Sequence, residues 1–149
     1  MATNLLPQDF KDFLRLLNSN GVEYLLIGGY AVGYYGYSRA TADIDVWVAI
    51  DPDNANKAVA AIREFGFGTP DLTPELLRQP EKVIRMGLPP FRIEVLTTIS
   101  GVTFGECYAA RETAVLDGVP VTIISREHLK ANKKACGRLK DLADLEHLP

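Results

Sequence analysis

The sequence predicts an α/β fold built on a β-sheet of mixed strand direction. Three observations predict it. Short apolar runs of strand length alternate along the chain with segments of helical periodicity, which is the pattern of a sheet covered by helices. The dipeptide Asp117-Gly118 sits between two strand-like runs, a hairpin signal that demands at least one antiparallel pair. At 149 residues, with 47% apolar and 23% charged residues, the chain has the ordinary make-up of one globular domain with a real core, read as residues 1–149.

The elements follow in order. Phe10, Phe13, Leu14 and Leu17 form one stripe of a first helix that Asn20-Gly21 stops. Val22 to Ile27 reads as a short buried strand. Gly28-Gly29 then turns the chain, and Tyr30 to Tyr35 forms a short helix ended by Gly36. A second strand runs from Asp43 to Ile50. Asp51-Pro52-Asp53 opens a helix reaching Phe65, because proline and acidic residues suit a helix start. The segment 66–80 is rich in Gly and Pro, with room for one short helix at Pro74 to Arg78. Lys82 to Met86 is a candidate strand, and Phe91 to Thr97 alternates as a strand should. Val102 to Arg111 reads as helix. Thr113 to Val115 and Val119 to Ile124 flank the Asp-Gly turn. Ser125 caps a further helix that Gly137 breaks, and Leu139, Leu142, Leu145 and Leu148 mark a last one.

Several function classes are disfavoured. No apolar run approaches 18 residues, so no membrane helix is expected, and the start of the chain does not read as a secretory signal. Cys107 and Cys136 fit neither a metal spacing nor a disulfide framework, which points to a reducing cytoplasm. The net charge of −3 and a pI near 5.4 argue against broad, nonspecific nucleic-acid binding. A local basic cluster remains at Lys130, Lys133, Lys134, Arg138 and Lys140, equally readable as a solvated helix face.

The chemistry centres on Asp43 and Asp45. A strand sends alternate side chains to opposite faces, so these two share one face while Ile44, Val46 and Val48 take the other. Two carboxylates about 4 Å apart repel by roughly 4 kcal/mol at an effective dielectric near 20. A cation between them removes that cost, and hard oxygen ligands select Mg²⁺ or a similar ion such as Mn²⁺. Gly28-Gly29 lets a phosphate approach the backbone at a helix start. Glu94 becomes a third ligand if its strand neighbours the aspartate strand. Arg39 offers a fork of donors to phosphate oxygens. Each feature has a bland reading too. Asp51-Pro52-Asp53 is a second aspartate pair that looks like a helix cap, Gly-Gly is usually only a turn, and Glu94 could simply pair with Arg92.

Together, Gly28-Gly29-Tyr30-Ala31-Val32 and the run from Gly36 through Thr41-Ala42-Asp43-Ile44-Asp45-Val46-Trp47-Val48 closely resemble the signature of the nucleotidyltransferase superfamily, near its minimal MNT-type and AbiEii-type members. The stretch from Leu129 to Leu145 looks like the closing helices of that group. The resemblance implies a nucleotidyltransferase-like mixed sheet flanked by helices, of the DNA polymerase beta-type palm. It implies metal binding and catalysis by Asp43, Asp45 and Glu94, and nucleotide binding by Gly28, Gly29, Arg39, Thr41 and Lys133, with Lys140 and Asp141 bordering the pocket. Its cofactor would be one or two Mg²⁺ ions, and its partners an NTP and a hydroxyl acceptor on a protein, an RNA or a small molecule. A partner subunit or a homodimer, and a place in a toxin–antitoxin-type module, would follow. The chain departs from the family pattern at Tyr35, where a histidine is common, at Glu94, where aspartate is commoner, and at Leu139, where proline is common.

Two rival readings stand beside the enzyme. One is a nucleotide-sensing or partner-binding subunit that keeps the fold without turnover. The other is a structural α/β domain whose aspartates satisfy backbone donors. The tyrosines around the glycine pair (Tyr24, Tyr30, Tyr34, Tyr35, Tyr37) are expected to pack on the sheet, with one or two available for base stacking. Trp47, on the aspartate face, is expected to wall the pocket, and His128 and His147 carry no ligand role.

Overall fold

A computed structural model of the protein describes residues 6–37 and 41–149. Its helices are α1 (Gln8–Ser19), α2 (Gly28–Tyr34), α3 (Pro52–Phe65), α4 (Phe104–Ala109), α5 (Arg126–Cys136) and α6 (Leu139–His147). Its strands are β1 (Tyr24–Ile27), β2 (Asp43–Val48), β3 (Val83–Met86), β4 (Arg92–Leu96), β5 (Glu112–Leu116) and β6 (Val119–Ile123), with a 3₁₀ turn at Leu76–Arg78. The strands form one sheet in the order β3-β4-β2-β1-β6-β5. β1/β6 and β2/β4 are parallel, while β1/β2, β3/β4 and β5/β6 are antiparallel, so the sheet is mixed as the sequence predicts.

Local chemistry explains the ends. Asp51 accepts a hydrogen bond from the Asn54 N–H and caps α3, and Gly66 closes it in the left-handed conformation. Ser125 caps α5 on the His128 N–H, and left-handed Gly137 ends it. Asp117 and Gly118 both take positive φ (49° and 82°), as a two-residue hairpin turn between β5 and β6 requires. The glycine pair differs from expectation. Gly28 and Gly29 are not a turn ahead of the helix but its first residues, with only Gly28 in the left-handed region, at φ 70°.

The sheet divides the molecule. Ile44, Val46, Ile93 and Val95 are buried in the core that also holds Phe10, Phe13, Leu14 and Leu17 of α1 and Ala58, Val59, Ala61 and Ile62 of α3. Burying side chains of this size stabilises the fold by about 1.5–3 kcal/mol each. The opposite face of β2 and β4 carries Asp43, Asp45 and Glu94 and looks toward α5 and α6.

α6 forms where the leucine spacing puts it, but it is turned the other way. Leu139 and Leu142 are exposed, at 87% and 45%, whereas Asp141 and Asp144 are fully buried. The cause lies on α5. The Lys133 ammonium stands 3.2 Å from Asp141 Oδ1 and 3.0 Å from Asp144 Oδ2. A buried cation needs carboxylates around it, and that requirement outweighs the burial of two leucines.

Candidate active site

The acidic centre is a product of register. β2 and β4 run parallel with Asp45 opposite Glu94 and Asp43 opposite Arg92. Side chains of such partners project to the same side, so Glu94 arrives next to Asp45 and their carboxyl groups hydrogen-bond to one another. β1 is antiparallel to β2 on its other edge, with Ile27 opposite Asp45. The chain therefore turns into α2 directly over that carboxylate. A Cβ on Gly28 would lie 2.2 Å from Asp45 Oδ2, and one on Gly29 would lie 2.7 Å from Thr41 Oγ1. Both positions need glycine for packing against the site itself, in addition to any phosphate they admit. Thr41 is fixed in turn by donating its hydroxyl to the Asp43 carbonyl at 3.2 Å.

These groups line a cleft of about 490 Å³. Its acidic wall is Asp43, Asp45 and Glu94, its glycine wall is Gly28, Gly29 and Thr41, and its far wall is Asn132, Lys133, Cys136, Arg138 and Lys140 from α5 and the start of α6. Thus seven of the expected site residues converge here, together with Lys140. Arg39 lies outside the described residues. Lys133 borders the cleft as expected, but its ammonium is committed to Asp141 and Asp144, and the residue is only 4% exposed. Its evident work is to orient α6. Arg138, counted in the sequence only as part of a basic cluster, is the more available cation. Its guanidinium donates to Asp141 through Nε (2.6 Å) and Nη2 (3.2 Å), and its side chain keeps 61% exposure.

The electrostatics are those of two neighbouring acidic groups, one of them well buried. Burial, followed by the Glu94 and then the Asp43 carboxylates, pushes Asp45 up from 3.8 to about 7, with Lys140 opposing. Burial also raises Glu94, but the hydrogen bonds from Arg85 and Asp45 outweigh it and hold Glu94 below the usual carboxylate value. The proton of the pair accordingly resides on Asp45. Arg85, directly across the β3/β4 ladder, reaches Glu94 Oε2 with its Nε at 2.7 Å. On the other carboxylate, Arg92 Nε stands 3.8 Å from Asp43 Oδ1, too far for a hydrogen bond, and that buried nitrogen has no hydrogen-bond partner among the described residues.

This donor set suits a hard divalent cation, because three carboxylates on one wall of an open cleft supply oxygen ligands only. It is not a ready-made cage. Among the described residues no three carboxylate, histidine or cysteine side chains are arranged to hold a metal ion as they stand. Arg85 also takes Glu94 Oε2, an oxygen that a metal would compete for.

Other expectations sort cleanly. Trp47 does share the aspartate face, yet it does not wall the cleft. It is buried, donates its indole N–H to the Thr97 carbonyl and packs edge-on against Phe104. No tyrosine lines the cleft either. Tyr24 bonds Asn18, Tyr35 bonds the Ile124 carbonyl, Tyr30 packs on Phe10, and Tyr37 stacks on His147. Among the described residues no helix is long and apolar enough to cross a membrane.

No family model and no curated protein matches the chain. Solved structures do. An antigenic nucleotidyltransferase-like protein from Paracoccidioides brasiliensis superposes with a TM-score of 0.56 at 17% identity, over 93% of this chain and 72% of that one. The fold is nucleotidyltransferase-like. A Thermotoga maritima protein named for nucleotidyl transfer gives a TM-score of 0.64 at 14% identity over 93% and 89% of the two chains. The lincosamide antibiotic adenylyltransferase LnuA, solved with lincomycin, gives 0.57 at 14% identity over 97% of both. At these identities the nucleotidyltransferase-like fold is what is shared.

Proposed function

We propose that the protein is a metal-dependent nucleotidyltransferase that moves an NMP from an NTP to a hydroxyl acceptor. The observation that carries this reading is the Asp45–Glu94 pair, set beneath a glycine junction and opposite Arg138 and Lys140 in one cleft. Asp43, Asp45 and Glu94 would hold Mg²⁺ or Mn²⁺, which when bound neutralises triphosphate charge and favours loss of pyrophosphate. Gly28 and Gly29 leave room for phosphates against the backbone, and Arg138 and Lys140 supply positive charge on the facing wall. The acceptor oxygen attacks the α-phosphorus, the bond to pyrophosphate breaks, and Glu94, kept ionised by Arg85, is the carboxylate able to take the hydroxyl proton. Arg85 must leave Glu94 Oε2 for that carboxylate to act.

The nucleotidyltransferase-like fold of its structural neighbours supports nucleotidyl transfer in general. The acceptor class, and the toxin–antitoxin-type module we propose as setting, rest on the sequence resemblance. A second reading, a nucleotide-binding subunit with little turnover, is favoured by one observation, the Arg85 clamp on Glu94. Incubation of the wild type and Asp43→Asn with α-labelled NTPs, Mg²⁺ and cell extract separates the two. The enzyme reading expects labelled acceptor and pyrophosphate from the wild type alone. Binding of NTP without any product supports the subunit, and neither binding nor product removes both.

A further inference from the structure

The far end of the cleft contains a polar group that the reading above does not use. Asn132 is 7% exposed and lines the cleft next to Lys133. Its amide orientation is fixed by chemistry, because the Ser100 carbonyl at 2.9 Å can only accept, so the NH₂ group faces it. The same nitrogen makes the longer contact to Cys136 Sγ at 3.7 Å. Both contacts run through Nδ2, and Oδ1 has no partner among the described residues. With its NH₂ anchored in this way, Oδ1 is open to the cleft and free to accept from a ligand. Leu96 and Ile99 stand in the same cleft, and Leu96 lies on the Glu94 face one side-chain step along β4. The carboxylates thus share the cleft with two apolar side chains and one amide acceptor. Apolar contact beside an amide acceptor suits a flat heterocycle bearing an amine.

We infer that Asn132 Oδ1 selects nucleotides whose base carries an exocyclic amine at C6 of a purine or C4 of a pyrimidine, adenine or cytosine, over guanine and uracil, which present a carbonyl at that position. This rests on the proposed nucleotidyl transfer and names its substrate class. A bound base that covers this acceptor without a donor, or faces it with a carbonyl, is expected to bind about tenfold or more weakly.

The test is isothermal titration of the full chain with Mn²⁺ and a set of triphosphates. ATP is expected to bind about tenfold tighter than purine riboside triphosphate, which lacks the amine, and tighter still than inosine triphosphate, which presents a carbonyl. CTP is expected to exceed UTP in the same way, and dATP to match ATP. These comparisons use the wild-type protein, so no folding defect can imitate them. In Asn132→Ala the three purines are expected to converge. Equal binding of ATP, purine riboside and inosine triphosphates overturns this inference alone, and so does loss of dATP binding, which would give the acceptor to a ribose hydroxyl. Failure of every triphosphate to bind overturns the nucleotidyltransferase reading and this one with it.

Discussion

Two groups of buried carboxylates stand on the same side of the sheet and behave in opposite ways. Asp141 and Asp144 are the more deeply buried, yet each has the Lys133 ammonium within 3.2 Å, and Asp141 has Arg138 as well. Asp141 is accordingly held below the usual aspartate value, with the guanidinium and ammonium bonds outweighing burial. Asp45 is less buried but faces Glu94 and Asp43, and it is driven up to about 7. The contrast separates structure from function. Asp141 and Asp144 are given their cations by the chain, whereas the Asp45–Glu94 pair, in the proposed reading, takes its compensating charge from a ligand.

The largest blow to this contrast falls at Lys133. Replacing it with Met takes the ammonium away from two buried carboxylates, and we expect about 3–5 kcal/mol of destabilisation in urea melts. A loss below about 1 kcal/mol would mean α6 does not depend on that ion group. Next comes Gly28→Ala, which combines φ 70° with a contact of 2.2 Å to Asp45 Oδ2. A cost of about 1–3 kcal/mol is expected, with Asp45 displaced and metal binding weakened.

Asp45→Asn has the opposite sign. In metal-free protein it removes the repulsion with Glu94 and should stabilise by about 1 kcal/mol at pH 8 while turnover disappears. The pH dependence follows the same logic. The folded state holds the Asp45 proton more tightly than the unfolded chain, so between about pH 4 and 7 folding takes up a proton and stability falls as pH rises. Above pH 7 the full penalty is present. Thermal melts across that window should show the downward contribution in wild type and lack it in Asp45→Asn. The smallest effect belongs to Arg85→Gln. The pair is largely exposed on the arginine side, 62%, so stability should change by less than about 1 kcal/mol. Glu94 should nonetheless titrate higher in carboxyl NMR once the guanidinium is gone.

Sequence periodicity made half of this comparison legible. Asp43 and Asp45 share a face because strands alternate, and nothing beyond local geometry is needed to see it. Glu94 joins them only through the parallel β2/β4 register, a contact made across about fifty residues of chain that no local pattern encodes. The glycine pair was readable as a phosphate device, whereas its tight packing over Asp45 and Thr41 depends on strand pairing. The other half was hidden. Leucines at spacing three announce an apolar helix face, and α6 hides its aspartates instead because one lysine on the preceding helix needs them. Arg85 was invisible as a site residue for the same reason as Glu94, since only the antiparallel β3/β4 ladder puts it opposite that carboxylate. Trp47 shows the reverse error: sharing a face with the aspartates did not bring it to the cleft, because α4 covers that end of the strand with Phe104.

The central claim is that Asp45 and its neighbours bind a divalent cation. Titration of the metal-free protein with Mn²⁺, followed by the paramagnetic signal of the free ion, tests it without any assumption about acceptor or base. The account predicts saturable binding by the wild type and binding at least about tenfold weaker in Asp45→Asn. Equal uptake by the two proteins, or none by either, would contradict it.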